Sequence, residues 1–322
     1  MSLVRILVTE SSRFSDAAVR ILRGAGEVRL ADLDREGLLA EAATAEVLWI
    51  RLRHRIDREV MQLAPRLRII ATPTTGLNHI DMEEAARRDI RVLSLKGETD
   101  FLRDVPATAE HTIGLILSLL RHVPGAFEHA RQGSWNRDLF RGTDLRGKMV
   151  GIIGLGRIGR MVAGYLTAFG ADVTATDPRT AQDETGVPIV AMDDLLREAD
   201  IVTVHASLSG ETIGMFGHAQ FGRMKAGAWF INTARGELVQ EAALLEALKS
   251  GRLAGAALDV LCDENSEGMG GSVLVDYARQ HDNLIVTPHI GGCTAESMEK
   301  TEVFLAGRVA AAIEQGQYVC AE

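Results

Sequence analysis

The chain has 322 residues and a formal charge of −9, with 46% hydrophobic and 25% charged residues. That balance excludes a fibrous chain or a disordered tail, and a sequence pI of about 5.6 leaves no basic footprint for a nucleic-acid partner. The longest run without Asp, Glu, Lys or Arg is 13 residues, Asn283 to Ala295, short of the roughly 20 apolar residues that span a bilayer, so no membrane partner is expected either.

Residues 4–9 read as a first strand, with neither the apolar core nor the small-residue cleavage site of a secretory leader, so the expected location is cytoplasmic. From there, β-branched runs alternate with amphipathic stretches, the pattern of an α/β protein built on parallel sheets. The expected elements are a helix over 15–23, a strand over 46–50, a short helix over 58–64 and a strand over 67–71. A turn at Gly76 and Asn78, a helix over 82–88 and a strand over 91–95 complete one small open sheet.

A long apolar helix follows over about 107–122, with Pro106 acceptable in its first turn. A polar stretch over 131–147 leads to a second series of strand and helix units over 148–288, and 294–315 reads as a terminal helix. A single core stops growing near roughly 250 to 300 residues, so two domains are expected. Cys262, Cys293 and Cys320 are an odd, scattered set without CxxC spacing, which reads as free thiols, with no disulfide framework and no metal site.

The strand expected over 148–153 runs directly into Gly154-Leu-Gly156-Arg-Ile-Gly159, and a helix follows. This is a GxGxxG fingerprint in its required context. Gly154 allows the tight turn, Gly156 lets the backbone approach a pyrophosphate, Gly159 allows close helix packing, and the helix N-terminus offers N–H groups to phosphate. Taken alone, such glycines can mark no more than a turn. Here the next strand ends in Asp177, 23 positions after Gly154, near the spacing of a carboxylate that binds a ribose diol. A carboxylate there favours NAD over NADP, although Arg179 lies close enough in sequence to meet a 2′-phosphate.

The later strands also end in polar residues: His205 after 201–204, Thr233 and then Arg235 after 229–232, Asp259 after 255–258, and His289 after 284–287. In a parallel sheet these ends face one crevice, so the set carries more weight than any member. Arg235 suits a substrate carboxylate and can polarise a neighbouring carbonyl. His289 is the acid/base candidate, and Glu264 is its natural carboxylate partner. Together they fit hydride transfer between nicotinamide and C2 of a 2-hydroxy or 2-oxo acid.

With these residues in place, the sequence resembles the D-isomer-specific 2-hydroxyacid dehydrogenase family over nearly its whole length. The matching pieces are Gly154 to Gly159 with Asp177, the segment 231–236, the segment 257–260 followed by Glu264, and Thr287-Pro-His-Ile-Gly-Gly292. The resemblance implies a catalytic set of Arg235, Glu264 and His289, with cofactor contacts at Thr108, Arg157, Ile158, His205, Thr233, Ala234 and Asp259. It also implies two Rossmann-like doubly wound domains with a cleft between them. A discontinuous substrate domain would comprise 1–99 plus 293–322, and an NAD-binding domain 100–292. A homodimer is implied as well, held largely through the nucleotide domain.

In the first domain, the loop containing Thr75 and Gly76 resembles the one that holds the substrate carboxylate, and Arg51 and Arg53 match a segment that meets acidic substrates. Lys96 and Arg103 add candidates for a phosphate-bearing substrate such as 3-phosphoglycerate or 3-phosphohydroxypyruvate. Glyoxylate or hydroxypyruvate is the other expectation. Departures from the family pattern fall at Ser207, at Asn265 after Glu264, and in the segments 96–105 and 265–282. Three competing readings share the fold: a phosphite-type dehydrogenase, a formate dehydrogenase, and an NAD-sensing binding protein similar to corepressors. Formate dehydrogenases carry Gln in place of Glu264, and no appended regulatory domain is expected after the terminal helix.

Overall fold

The computed structural model describes residues 3–179, 186–262, 264 and 272–316. The chain forms two compact units, one from the stretch up to Asp104 together with the stretch from Thr294 onward, the other from Val105–Cys293. Asn265, residues 266–271 and Cys320 lie outside the described residues.

The first unit is built on a parallel sheet of β1 (Val4–Val8), β2 (Gly26–Leu30), β3 (Val47–Trp49), β4 (Ile69–Ala71) and β5 (Arg91–Leu93), ordered β2-β1-β3-β4-β5. Because side chains alternate across a strand, Ile6, Val8, Val47 and Trp49 bury one face while Leu7, Leu48 and Ile70 bury the other. The helix Asp16–Ala25 and the terminal helix Ala295–Glu314 cover the first face, packing Val19 and Leu22 with Leu305, Val309 and Ile313. On the second face lie the helices Arg35–Ala42, Arg58–Leu63 and Met82–Arg87.

β2 and the helix Arg35–Ala42 have no counterpart among the elements expected from sequence. β2 is an edge strand with Val28 half-buried and Glu27, Arg29 and Leu30 exposed, so it lacks the apolar run that marks a strand. Gly37 interrupts the helix signal, yet the helix starts firmly because the Asp34 side chain accepts the Gly37 N–H at 2.8 Å.

The second unit holds β6 (Met149–Ile153), β7 (Asp172–Thr176), β8 (Ile201–Val204), β9 (Ala228–Asn232), β10 (Leu253–Leu258) and β11 (Leu284–Val286), all parallel and ordered β11-β10-β9-β8-β6-β7. A parallel bridge from Ala175 to Ile189 extends the sheet beyond β7. The order reverses at β6, which is where open parallel sheets place ligands. The register aligns the strand ends: Ile153 pairs with Thr176 and Val204, Val204 with Asn232, Asn232 with Leu258, and Leu258 with Val286. The residues that follow these strands therefore line a single edge.

The apolar helix over this sheet runs Ala107–Leu120 and stops two residues before the expected end. His122 adopts a left-handed conformation, φ 52°, and Pro124 lacks the N–H needed to continue the helical bonding, so a separate helix begins, Val123–Arg131. Among the described residues no helix is long and apolar enough to cross a membrane.

Candidate active site

The glycine turn shows why each glycine is present. Gly154 sits at φ 92°, and a Cβ there would lie 2.8 Å from the Ala206 backbone; a Cβ on Gly159 would lie 2.2 Å from the Gly154 carbonyl oxygen. Gly156 differs, since a Cβ there meets nothing within 4 Å. The chain itself does not require that glycine, but a ligand closing on the backbone would. Gly156 also caps the helix Arg157–Ala168 without a side-chain bond, which leaves the helix N-terminus available to an anion.

At the end of β7, Asp177 is buried, and its Oδ2 accepts the Leu155 N–H at 3.0 Å while Oδ1 accepts the Arg179 N–H at 2.9 Å. Each oxygen keeps lone-pair capacity for a diol. Open space at Gly156, the helix N-terminus and this carboxylate fit the pyrophosphate and ribose of a dinucleotide. Arg157 is turned to the Val105 carbonyl at 2.9 Å, and burial pushes its pKa down. Ile158 packs into the core beneath the turn.

Along the same edge, burial pushes the His205 imidazole down to about 3 while its Nε2 lies 3.0 Å from Thr203 Oγ1, so the ring is neutral at physiological pH. Thr112 on the apolar helix donates its hydroxyl proton to the Thr108 carbonyl at 2.8 Å. The 2.8 Å contact between Thr112 and Thr233 must then be a donation from Thr233. Asn232 braces the next turn, accepting the Ala234 N–H at 3.0 Å and donating to the Arg235 carbonyl at 2.8 Å.

Gly236 lies against the Leu261 and Cys262 backbone, where a Cβ would fall 2.0 Å from the Leu261 carbonyl carbon. That close approach brings Arg235 towards the segment bearing Glu264. Burial pushes the Arg235 pKa down, and the nearby Glu264 and Glu237 carboxylates oppose the shift. Ala234, partly buried against the core, presents its carbonyl to Arg235 Nη1 at 2.5 Å.

His289 Nδ1 lies 2.5 Å from Glu264 Oε1. A carboxylate accepts, so Nδ1 carries the proton of that bond and Nε2 is left for another partner. The residue sits at φ 52°, a conformation unusual for a side-chain-bearing residue. Asp259, 1% exposed, stabilises that turn. Its carboxylate accepts Thr287 Oγ1–H at 2.6 Å, the Ile290 N–H at 2.9 Å and the Gly291 N–H at 2.7 Å, and its carbonyl accepts the His289 N–H at 2.9 Å. Burial pushes the Asp259 carboxyl up, but donation from His111, Thr287, Ile290 and Gly291 outweighs it and holds the group below the usual carboxylate range.

The structure thus gathers Gly154, Gly156, Gly159, Asp177, His205, Thr233, Arg235, Asp259, Glu264 and His289 in the second unit, with Thr108 and Arg157 on its helices. Arg53, Thr75 and Gly76 belong to the first unit. There, Arg53 is half-exposed, donating to the Leu33 carbonyl and lying 3.6 Å from Asp32. Thr75 is exposed, and the Gly76 carbonyl accepts the Thr74 hydroxyl.

Arg51 is taken up elsewhere: its guanidinium pairs with the buried Glu302 at 2.5 Å and with the Ser12 carbonyl at 3.0 Å. Lys96 is exposed, and Arg103 pairs with Asp100 at the surface. The residues missed in the sequence are His111, Thr112, Asn232 and Thr287. A histidine inside an apolar helix was a readable signal for the first; the others lie in or beside quoted motifs, but their roles depend on contacts.

A family model described as D-isomer specific 2-hydroxyacid dehydrogenase, NAD binding domain, matches residues 113–291. A D-3-phosphoglycerate dehydrogenase of Mycobacterium bovis is 36% identical over 325 residues, covering 99% of this chain and 58% of that protein. The chain therefore spans little more than half the length of this curated relative. A solved protein of Thermus thermophilus superposes with a TM-score of 0.83 at 35% identity, with 97% of each chain covered. The D-lactate dehydrogenase of Aquifex aeolicus, solved with NAD and lactic acid, gives a TM-score of 0.83 at 26% identity, covering 97% of this chain and 96% of that one.

Proposed function

The chain belongs to the D-isomer specific 2-hydroxyacid dehydrogenase family, and from that premise we propose that it is an NAD-dependent oxidoreductase acting on a D-2-hydroxy acid and its 2-oxo acid. The observation that carries the reading is the 2.5 Å contact of His289 Nδ1 with Glu264 Oε1 on a unit whose glycine turn leaves Gly156 open. An imidazole held by a carboxylate, with its second nitrogen available, is the arrangement a hydroxyl proton requires.

When bound, the nicotinamide supplies or accepts the hydride at substrate C2. His289 Nε2 takes the hydroxyl proton during oxidation and returns it during reduction, while Glu264 holds the ring in that tautomer and offsets the positive charge that develops. Arg235 binds the substrate carboxylate and polarises the C2 oxygen. Glu264 also separates this reading from formate oxidation, which has no hydroxyl proton to move. The cofactor is NAD, because the Asp177 carboxylate repels a 2′-phosphate. Arg53, Thr75 and Gly76 are assigned to the acidic groups of the substrate, and the substrate domain to the first unit.

The relatives' names make 3-phosphohydroxypyruvate and pyruvate the first acids to test, with glyoxylate and hydroxypyruvate, the other acids expected from the family resemblance, beside them. We also assign a homodimer, supported by the exposed side chains of Val123, Phe127, Trp135 and Leu139 in the second unit; Trp135 is 93% exposed, an unusual burden for a monomer surface. The test is NADH oxidation with this panel, repeated with NADPH. Turnover of one acid, faster with NADH, is the expected outcome. NADH binding without turnover of any acid would overturn the enzymatic reading in favour of a binding protein.

A further inference from the structure

We propose that His111 is a positioning residue for the His289 turn, acting through Thr287 and Asp259; the role in turnover rests on the function proposed above. His111 projects from the helix Ala107–Leu120, and its Nε2 lies 3.1 Å from Thr287 Oγ1 and 3.2 Å from Asp259 Oδ1. Thr287 has one hydroxyl proton and gives it to Asp259 at 2.6 Å, so towards His111 it can only accept. Asp259, a carboxylate, also only accepts. His111 Nε2 must therefore carry a proton, shared between the two oxygens. Any form of the ring with a proton on Nε2 can supply it.

The contact matters because of what Asp259 does with its other lone pairs. Its two oxygens receive the Ile290 and Gly291 N–H groups, and its backbone carbonyl receives that of His289. These bonds hold His289 at φ 52°. A left-handed non-glycine residue persists only where its surroundings over-determine it. Gly291 fits the same account, since a Cβ there would lie 2.8 Å from Asp259 Oδ2 and 3.3 Å from Thr108 on the same helix as His111. Among the described residues, His111 is the one side-chain donor to this carboxylate from outside the two strand ends. It fixes which way the Asp259 oxygens face, and through them the turn that presents the imidazole.

The experiment compares His111→Leu and His111→Gln in the whole chain. In His111→Leu, kcat for reduction of the best 2-oxo acid should fall about tenfold, by analogy with the loss of an outer partner behind an active-site histidine. KM and NADH affinity should stay within about twofold, and the pH profile should keep its shape. His111→Gln can place an N–H near the same oxygens, and should recover most of the loss.

A second readout needs no turnover: the far-downfield proton NMR resonance of the His289–Glu264 hydrogen bond in the free protein. It should broaden or vanish in the Leu variant and return in the Gln variant. A His111→Leu kcat within twofold of wild type, or a resonance that the substitution leaves unchanged, overturns the positioning role. A moved pH profile would overturn it in favour of direct proton transfer by His111. If His111→Leu fails to fold, His111→Gln decides alone: near-native kcat and resonance sustain the role, and their loss in a folded protein overturns it. Wild-type protein inactive on every acid, but with the resonance behaving as expected, would sink the proposed function and leave the positioning intact.

Discussion

The Asp177 carboxylate and the Leu155 N–H, joined at 3.0 Å, tie the end of β7 to the glycine turn. The charge that is proposed to select NAD therefore also shapes the turn that is proposed to receive its pyrophosphate. Asp177→Asn keeps an acceptor oxygen and removes the charge. Its ratio of kcat/KM with NADH to that with NADPH should fall by about tenfold, equivalent to about 1.4 kcal/mol. An unchanged ratio would move cofactor choice to other residues.

Gly156 and Gly159 separate binding from folding. The Cβ of Gly159→Ala would lie 2.2 Å from the Gly154 carbonyl oxygen, an overlap expected to lower stability by about 1 to 3 kcal/mol. Gly156→Ala meets open space, so its melting temperature should match wild type while NADH binding, read by fluorescence titration, weakens. Equal NADH affinity in Gly156→Ala would mean that no ligand closes on that atom.

Removal of the imidazole in His289→Ala should lower kcat by about 100-fold or more, the usual contribution of a general acid or base. Glu264→Gln retains a hydrogen-bond acceptor but loses the charge, and should show a smaller fall in kcat with little change in KM. Steady-state kinetics on the best acid from the panel distinguishes the two.

Arg51 and Arg53 lie two positions apart and should behave oppositely. Burial pushes the Glu302 carboxyl up, and the Ser15 N–H and the Arg51 guanidinium pull against it. Side-chain exposures of 16% for Arg51 and 1% for Glu302 make this a buried pair. Arg51→Met should cost about 3 to 5 kcal/mol in denaturant unfolding, because it strands a buried charge. Arg53→Met should leave stability within about 0.5 kcal/mol and raise KM for an acidic substrate.

Acid sensitivity follows from Asp259. Its folded-state pKa is depressed, so the stability it contributes is present above the unfolded value of about 3.9 and is lost as pH falls through the folded one. Thr287→Val removes a donor to the charged form and brings the folded value closer to the unfolded one. The network's contribution should then disappear at a higher pH, seen as an upward move of the acid-unfolding midpoint followed by circular dichroism.

The strand ends were legible because buried parallel strands read as short apolar runs, and the residues after each run are forced to one edge of the sheet. Gly154, Asp177, His205, Asp259 and His289 could be placed in that way from sequence alone. β2 was not legible, because an edge strand with Arg29 and Leu30 exposed has no apolar signature. Arg51 shows the other limit. Its type and position read as an anion contact, but its guanidinium meets Glu302, a residue 251 positions away. His111 failed for a similar reason: the sequence shows a polar residue in an apolar helix, and only the fold shows the carboxylate beside it.

The helix Ala295–Glu314 buries Leu305, Val309 and Ile313 against β1, β3 and the helix Asp16–Ala25, all made much earlier in the chain. During synthesis, then, the opening sheet emerges with one oily face covered only in part, by the helix Asp16–Ala25, and waits until the whole of Val105–Cys293 has been translated. That second unit is contiguous and can close before its older neighbour does. The sheet begun earlier is thus finished later, and in that interval chaperones or aggregation would find their opening on the part of that face the terminal helix has yet to cover.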